Sequence, residues 1–305
     1  MGKHGRRLLA LTGTFLGGSY MVGTKVYDAL IATKVRTKTP EADAWLKEQH
    51  ARRDIYIDAI DGTRLHAAFL PAGEEEKKGR TYCFLLHDTG ETLEQASPYA
   101  AHYSALGMDV LLAEMRGHGK SAGKYKGYGY DDRLDVLTWL HWILKRDAEA
   151  RIILHGLGNG AAAILMALPE HMPTAVYCVV ADSSYTTLSA YLLRLLKYGD
   201  NSRIPARIRL FILRMTTRIR AGYDIKDADV MAAVARAQTP VIFVQGDSDK
   251  KVPVEMGRQL YARAQCTRQI SIHLGAGHLE SMRLNPARYW EAIDAFLEKH
   301  SPDRL

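Results

Sequence analysis

Apolar runs and helix-spaced stretches take turns along most of this chain. Asp54–Ile60 and Thr63–Leu70 are β-like runs on either side of Asp61-Gly62, a dipeptide that favours a tight hairpin turn between two strands. Glu74–Lys78 reads as a charged loop. Further β-like runs follow at Thr81–His87, Met108–Met115, Arg151–His155, Ala175–Ala181, Pro240–Gln245 and Gln269–Leu274. Helix-patterned stretches lie between them, near 92–106, 128–146, 160–168, 226–237, 254–264 and 286–300. Strands that are apolar throughout, each followed by a helix, predict a mostly parallel sheet with helices on both faces. The rhythm breaks once, at 183–225, where a long helical insertion separates two strands.

Residues 1–40 follow different rules. Lys3, Arg6 and Arg7 precede an uncharged stretch from Leu8 to Thr24, which ends at Lys25. A basic start before an apolar segment is how secretory signals and membrane anchors begin. The stretch lies at the short edge for a spanning helix, and Gly13, Gly17, Gly18 and Gly23 dilute it. An anchor or uncleaved signal is the preferred reading, so the chain is expected to be membrane-associated or exported. The alternatives are a helix lying on the domain and a cytoplasmic protein. Basic residues at both ends leave the orientation open.

At 305 residues, 47% hydrophobic and 25% charged, the chain has enough apolar material for a large core without disulfide staples. Cys83, Cys178 and Cys266 are odd in number and widely spaced, which points to neither a disulfide framework nor a cysteine-rich zinc site. The net charge of +7 resembles a nucleic-acid signal until it is located: residues 1–40 hold seven Lys/Arg against Asp28 alone, and the rest of the chain carries only +1. A duplex binder needs its basic face on the folded domain, so no nucleic-acid partner is expected. No H-E-x-x-H or two-metal cluster is present, and neither metal nor cofactor is expected.

In parallel sheets of this kind ligands bind beyond the carboxyl ends of the strands. The residues found there are His87-Asp88-Thr89-Gly90, Arg116-Gly117-His118-Gly119-Lys120-Ser121, Gly156-Leu157-Gly158-Asn159-Gly160, Asp182-Ser183-Ser184, Gly246-Asp247-Ser248-Asp249-Lys250-Lys251-Val252-Pro253 and Gly275-Ala276-Gly277-His278. Their order resembles the α/β-hydrolases of the serine aminopeptidase-like, lysophospholipase-like and esterase-like group, over roughly residues 50–300. The resemblance implies an α/β-hydrolase fold with a helical lid at 183–225, Asp249 as the acid of a catalytic triad and His278 as its base. A small acyl or peptide-like ligand is the expected partner.

The resemblance breaks at the nucleophile. The family's elbow reads G-x-S-x-G, a sharp strand-to-helix turn presenting a serine. Here Gly158 stands at the serine position, with no hydroxyl and no route to an acyl-enzyme. Glycine tolerates the strained dihedrals of such a turn. By position, the oxyanion donors are the backbone N–H groups of Thr89 and Asn159. The loop after the third strand also carries a carboxylate, Asp88. Pointing inward, it would oppose a developing oxyanion; pointing outward, it need do nothing.

Rival assignments are Asp247 or Asp182 as the acid and Ser183 or Ser184 as a rescue nucleophile. The two serines are expected instead to satisfy Asp182 or cap a helix, and His87 and His118 to be structural. Within the insertion, residues 203–220 hold six arginines and no acid, interleaved with apolar residues. Such a helix either covers the cleft with its apolar side or lies on an anionic membrane. Three functions follow: an esterase-like or peptidase-like hydrolase fold that is inactive or very slow by the acyl-enzyme route, a non-catalytic ligand-binding or docking protein, or nucleophile-independent chemistry with His278 as general base. The last covers proton abstraction or cofactor-independent oxygen chemistry; a residual slow hydrolysis would instead use a water beside Gly158 activated by His278, without an acyl-enzyme.

Overall fold

The structure, a computed structural model, describes residues 21–32, 44–73, 78–199 and 202–302. The eight strands are β1 (Arg53–Asp58), β2 (Arg64–Leu70), β3 (Thr81–Leu86), β4 (Asp109–Ala113), β5 (Arg151–Leu157), β6 (Val176–Asp182), β7 (Val241–Gly246) and β8 (Arg268–His273). They form one sheet in the order β1-β2-β4-β3-β5-β6-β7-β8. The β1–β2 hairpin turns at Asp61-Gly62 and pairs Asp58 with Arg64. β2 is antiparallel to β1 and β4, and every later pairing is parallel.

Alternate residues of the central strands feed two separate cores. Tyr82, Phe84, Leu111, Leu154 and Val179 face one, while Cys83, Leu85, Leu112, Ile153 and Val180 face the other. Both faces are apolar, which is why these strands read as unbroken apolar runs rather than as alternation. β1, at the sheet edge, is exposed or half-buried throughout.

Eleven helices are described: α1 (21–30), then α2 (Ala44–Glu48), α3 (Leu93–Ala105), α4 (Asp132–Arg146), α5 (Asn159–Ala167), α6 (Leu188–Tyr198), α7 (Ala206–Arg220), α8 (Val230–Val234), α9 (Val254–Arg263), α10 (Ser281–Leu284) and α11 (Pro286–His300). Residues of α2, α3 and α11 close one core, and those of α4, α5, α8 and α9 close the other. The resulting fold is that of the α/β hydrolases.

Two features position the site. α5 is buried along its whole length and runs straight out of β5. Its Gly160 lies so close to the Leu86 and His87 carbonyls that a Cβ there would overlap both, so the small residues after the turn let α5 sit directly on β3. The insertion between β6 and β7 supplies α6 and α7, which pack on each other, with Leu188, Tyr191 and Leu192 of α6 in the core. The helix expected over 226–237 is the single short α8, capped by the Asp229 side chain accepting from the Ala232 amide. The proposed anchor stretch at 8–24 lies outside the described residues up to position 20. Among the described residues no helix is long and apolar enough to cross a membrane.

Candidate active site

The loops after β3, β5, β7 and β8 converge above the carboxyl ends of their strands. At the β5–α5 turn Gly158 adopts φ 56° and ψ −112°, the left-handed region that disfavours a residue with a Cβ. Its amide donates to the Asp182 carbonyl at 2.8 Å, which fixes the turn to the neighbouring strand. Gly158 has no side chain to present, and the space it leaves is filled. A Cβ built on it would overlap the Asp88 carboxylate and stand 2.9 Å from the Asp88 Cβ.

Asp88 therefore points inward, and it is engaged on both oxygens. Oδ1 accepts from the Asn159 backbone N–H at 2.8 Å and from Asn159 Nδ2 at 2.9 Å. The first of these is the N–H that the resemblance assigns to the oxyanion hole, and it belongs to the first residue of α5, where the helix dipole favours negative charge. Oδ2 accepts from Lys251 Nζ at 2.6 Å and from His278 Nε2 at 3.2 Å. Four donors from three other segments thus converge on one buried carboxylate. The other expected donor, Thr89, follows Asp88 in the same loop and has a buried hydroxyl with no partner among the described residues.

His278 stands between two carboxylates, with Nδ1 2.7 Å from Asp249 Oδ2 and Nε2 facing Asp88. Asp249 is itself anchored, its Oδ1 accepting from the Lys251 and Val252 amides at 2.7 Å each. Gln245 Nε2 donates to Asp249 Oδ2 at 3.3 Å. The structure thus brings together Gly158, Asn159, Asp249 and His278, four of the residues the sequence singled out.

Charge follows this geometry. Burial alone would lower the His278 pKa, but its hydrogen bonds to Asp249 and Asp88 and the Asp88 charge raise it to about 9. At neutral pH the ring is therefore an imidazolium donating from both nitrogens, with no lone pair to take a proton. Burial also works against the Asp88 charge, yet the Lys251 ammonium and His278 outweigh it and hold that carboxyl well below the usual carboxylate range. Lys251 is held above its ordinary value by Asp88, against burial. Asp88 and Asp249 face Lys251 and His278, so negative and positive charges match one for one. Beside them, burial and then the Asp88 charge push Glu91 up to about 7.

The rival residues lie elsewhere in the structure. Asp182 is fully buried beneath the site, where it accepts from Ser183 Oγ and Tyr289 Oη, both at 2.8 Å. Burial raises it to about 6. Ser183 is occupied with Asp182, and Ser184 Oγ donates to the Tyr185 carbonyl. Asp247 turns to the Gly275 amide at 2.7 Å. His87 Nε2 accepts from the Met115 amide, and His118 Nε2 from the Gly90 amide, so both hold loops in place. Lys251 was not singled out in the sequence. Its signal was a lysine two residues beyond the expected acid, in a loop where Asp88 needed a counter-charge.

No known family profile matches the chain. Among curated proteins it is similar to the α/β hydrolase domain-containing protein WAV2 of Arabidopsis thaliana, at 26% identity over 82% of this chain and 80% of that one. It is also similar to protein bem46 of Schizosaccharomyces pombe, at 24% identity over 82% of this chain and 77% of that one. An uncharacterized Bacillus subtilis protein, YqkD, is 26% identical over 63% of each chain, so the match spans somewhat less than two thirds of that relative. Among solved structures, the Pyrococcus furiosus esterase Pf2001 superposes with a TM-score of 0.69, at 21% identity over 89% of this chain and 97% of the esterase. That last likeness is one of fold. The relatives' names and the esterase neighbours support placing the chain among the α/β hydrolases.

Proposed function

We propose that this protein descends from serine ester or peptide hydrolases and no longer forms an acyl-enzyme. The observation that carries this reading is the position of the Asp88 carboxylate. It occupies the space beside Gly158, takes the Asn159 N–H and pairs with His278. An acyl-transfer site needs a nucleophile, a neutral base and free donors for the oxyanion. Here the turn offers no hydroxyl, the base carries its proton, and a donor already holds an anion. Asp88 is itself a poor substitute nucleophile, since four donors engage its two oxygens.

The same arrangement counts against His278 as a general base on water, because an imidazolium flanked by two carboxylates accepts no proton near neutrality. What it favours is a binding role for the site beneath α6, with a small acyl or peptide-like ligand as the candidate occupant. Triad enzymes stripped of a nucleophile keep up to ~10³–10⁴-fold over water through the oxyanion hole and binding, and with that hole filled the residual should fall toward the water rate.

A fluorophosphonate probe and a panel of short acyl esters test the proposal. The wild-type protein should show no covalent labelling at the site and no burst. Gly158→Ser alone should gain nothing, since Asp88 blocks the new side chain. Asp88→Gly with Gly158→Ser should gain labelling at residue 158. Burst kinetics or site labelling in the wild type would overturn the reading.

A further inference from the structure

The outer helix of the insertion carries an apolar stripe that no described element covers. Ile208, Phe211, Met215 and Ile219 recur at i, i+3, i+7 and i+11 on α7, a spacing that places them on one face. Ile208 is 51% exposed, Phe211 62% and Ile219 85%. The opposite face of α7 buries Arg209, Leu213 and Thr217 against the body, so the stripe looks outward and does not cover the cleft. α6 lies between α7 and the site.

The borders of the stripe are chemically distinct. On one side Arg207, Arg214 and Arg218 form a row along the helix. Arg214 and Arg218 both pair with Asp224, which holds the row upright. On the other side Ile212 and Thr216 meet α1 at Gly23. Farther along, Arg220 pairs with Asp28 at 2.9 Å and lies over the Tyr27 ring at 4.2 Å. These contacts run α1 and α7 side by side in the same direction, so the chain reaches α1, at exposed Met21, next to the Ile208 end of the stripe. The sequence leading to that point is the uncharged tract from Leu8, preceded by Lys3, Arg6 and Arg7.

We propose that this face, the stripe of α7 with its arginine row and the adjoining start of α1, docks on an anionic lipid bilayer. An exposed apolar face rimmed with arginines matches a surface that is hydrocarbon beneath and phosphate above. Of the six arginines in 203–220, Arg209 is buried and Arg214, Arg218 and Arg220 pair with Asp224 or Asp28, so the exposed Arg203 and Arg207 are the ones to meet phosphate in paired hydrogen bonds. The sequence before α1 is uncharged from Leu8 with a basic start, a composition that suits the same surface. Docking would hold the insertion at the bilayer surface, independently of whether the site performs chemistry.

The test uses the full chain with Phe211→Cys labelled by bimane; the native cysteines Cys83, Cys178 and Cys266 are buried and should not compete. Leu106→Cys, exposed at the opposite end of the sheet, is the control. Vesicles of phosphatidylcholine, with or without about a quarter phosphatidylglycerol, carry doxyl quenchers in their acyl chains. The label at 211 should be quenched in the anionic vesicles only, and the label at 106 in neither. Arg203→Glu with Arg207→Glu should weaken binding by at least about fivefold per charge removed, and added salt should do the same. Three results would each overturn the proposal. The label could stay unquenched while the protein sediments with the vesicles, leaving residues 1–20 as the sole contact. It could be shielded without lipid, by that segment or by a second copy. Or neutral and anionic vesicles could quench it equally.

Discussion

One carboxylate, Asp88, organises the hydrogen bonds of this site. Asp88 could not be aimed from the sequence, because its direction depends on the turn after β3 and on a lysine 163 positions later in the chain. The contact of Asp249 with His278 was legible through the motifs of the resemblance, each at a strand end. Two predictions belong here. Asp88→Asn should lower the His278 pKa from about 9 toward the ~6.5 of a free imidazole, read from its Cε1 proton by NMR. The sign for stability follows. A raised histidine contributes fully below about pH 6.5 and loses that contribution as pH rises through about 9, so the wild-type urea midpoint should fall more steeply toward alkaline pH than that of Asp88→Asn. Gly158→Ser alone should destabilise by ~1–3 kcal/mol from its left-handed backbone, plus its overlap with Asp88. Urea melts of Gly158→Ser with Asp88→Gly, referenced to Asp88→Gly alone, should show the backbone share without the overlap.

At the scale of elements, the strands were legible because both their faces are buried, and the apolar runs at Thr81–His87 and Arg151–His155 became β3 and β5. The ends of α8 were not. Its pattern spans 226–237 in the sequence, but the Asp224 side chain accepts from the Lys226 amide and backbone turn bonds follow at Asp227 and Asp229 until the Asp229 side chain caps the helix, and local side-chain bonds of this kind compete with helix extension. The layering of the insertion was also hidden. α7 was expected to turn its apolar side to the cleft, yet that side splits, with Leu213 inward and the Ile208–Phe211–Ile219 stripe outward. The seating of α5 is testable through Gly160, where a methyl group would meet the Leu86 and His87 carbonyls. Gly160→Ala should cost ~1–3 kcal/mol by overpacking, measured as a lower urea midpoint, and should disturb the Asp88–Asn159 bond in the same variant.

Across the whole molecule, stability should be uneven. β3, β5, β6 and β7 lie in the sheet interior and are buried almost throughout, whereas the insertion rests on few buried side chains of α7. Amide exchange should be slowest in those strands, at the free energy of global unfolding, and faster in α7 through local opening. Mass spectrometry of peptides spanning 206–220 and 151–157 would read the difference, and equal rates would contradict it. Asp88 matters at this scale as well, because its bonds tie the loop after β3 to the start of α5 and to the loops after β7 and β8. It behaves as a tethered ligand whose effective concentration never falls with dilution. A free acid arriving from solution must compete with a resident one that gives up no translational freedom on binding. The site should therefore discriminate against anions, because the lysine and imidazolium that would attract them already hold Asp88, and prefer guests that leave Asp88 where it is.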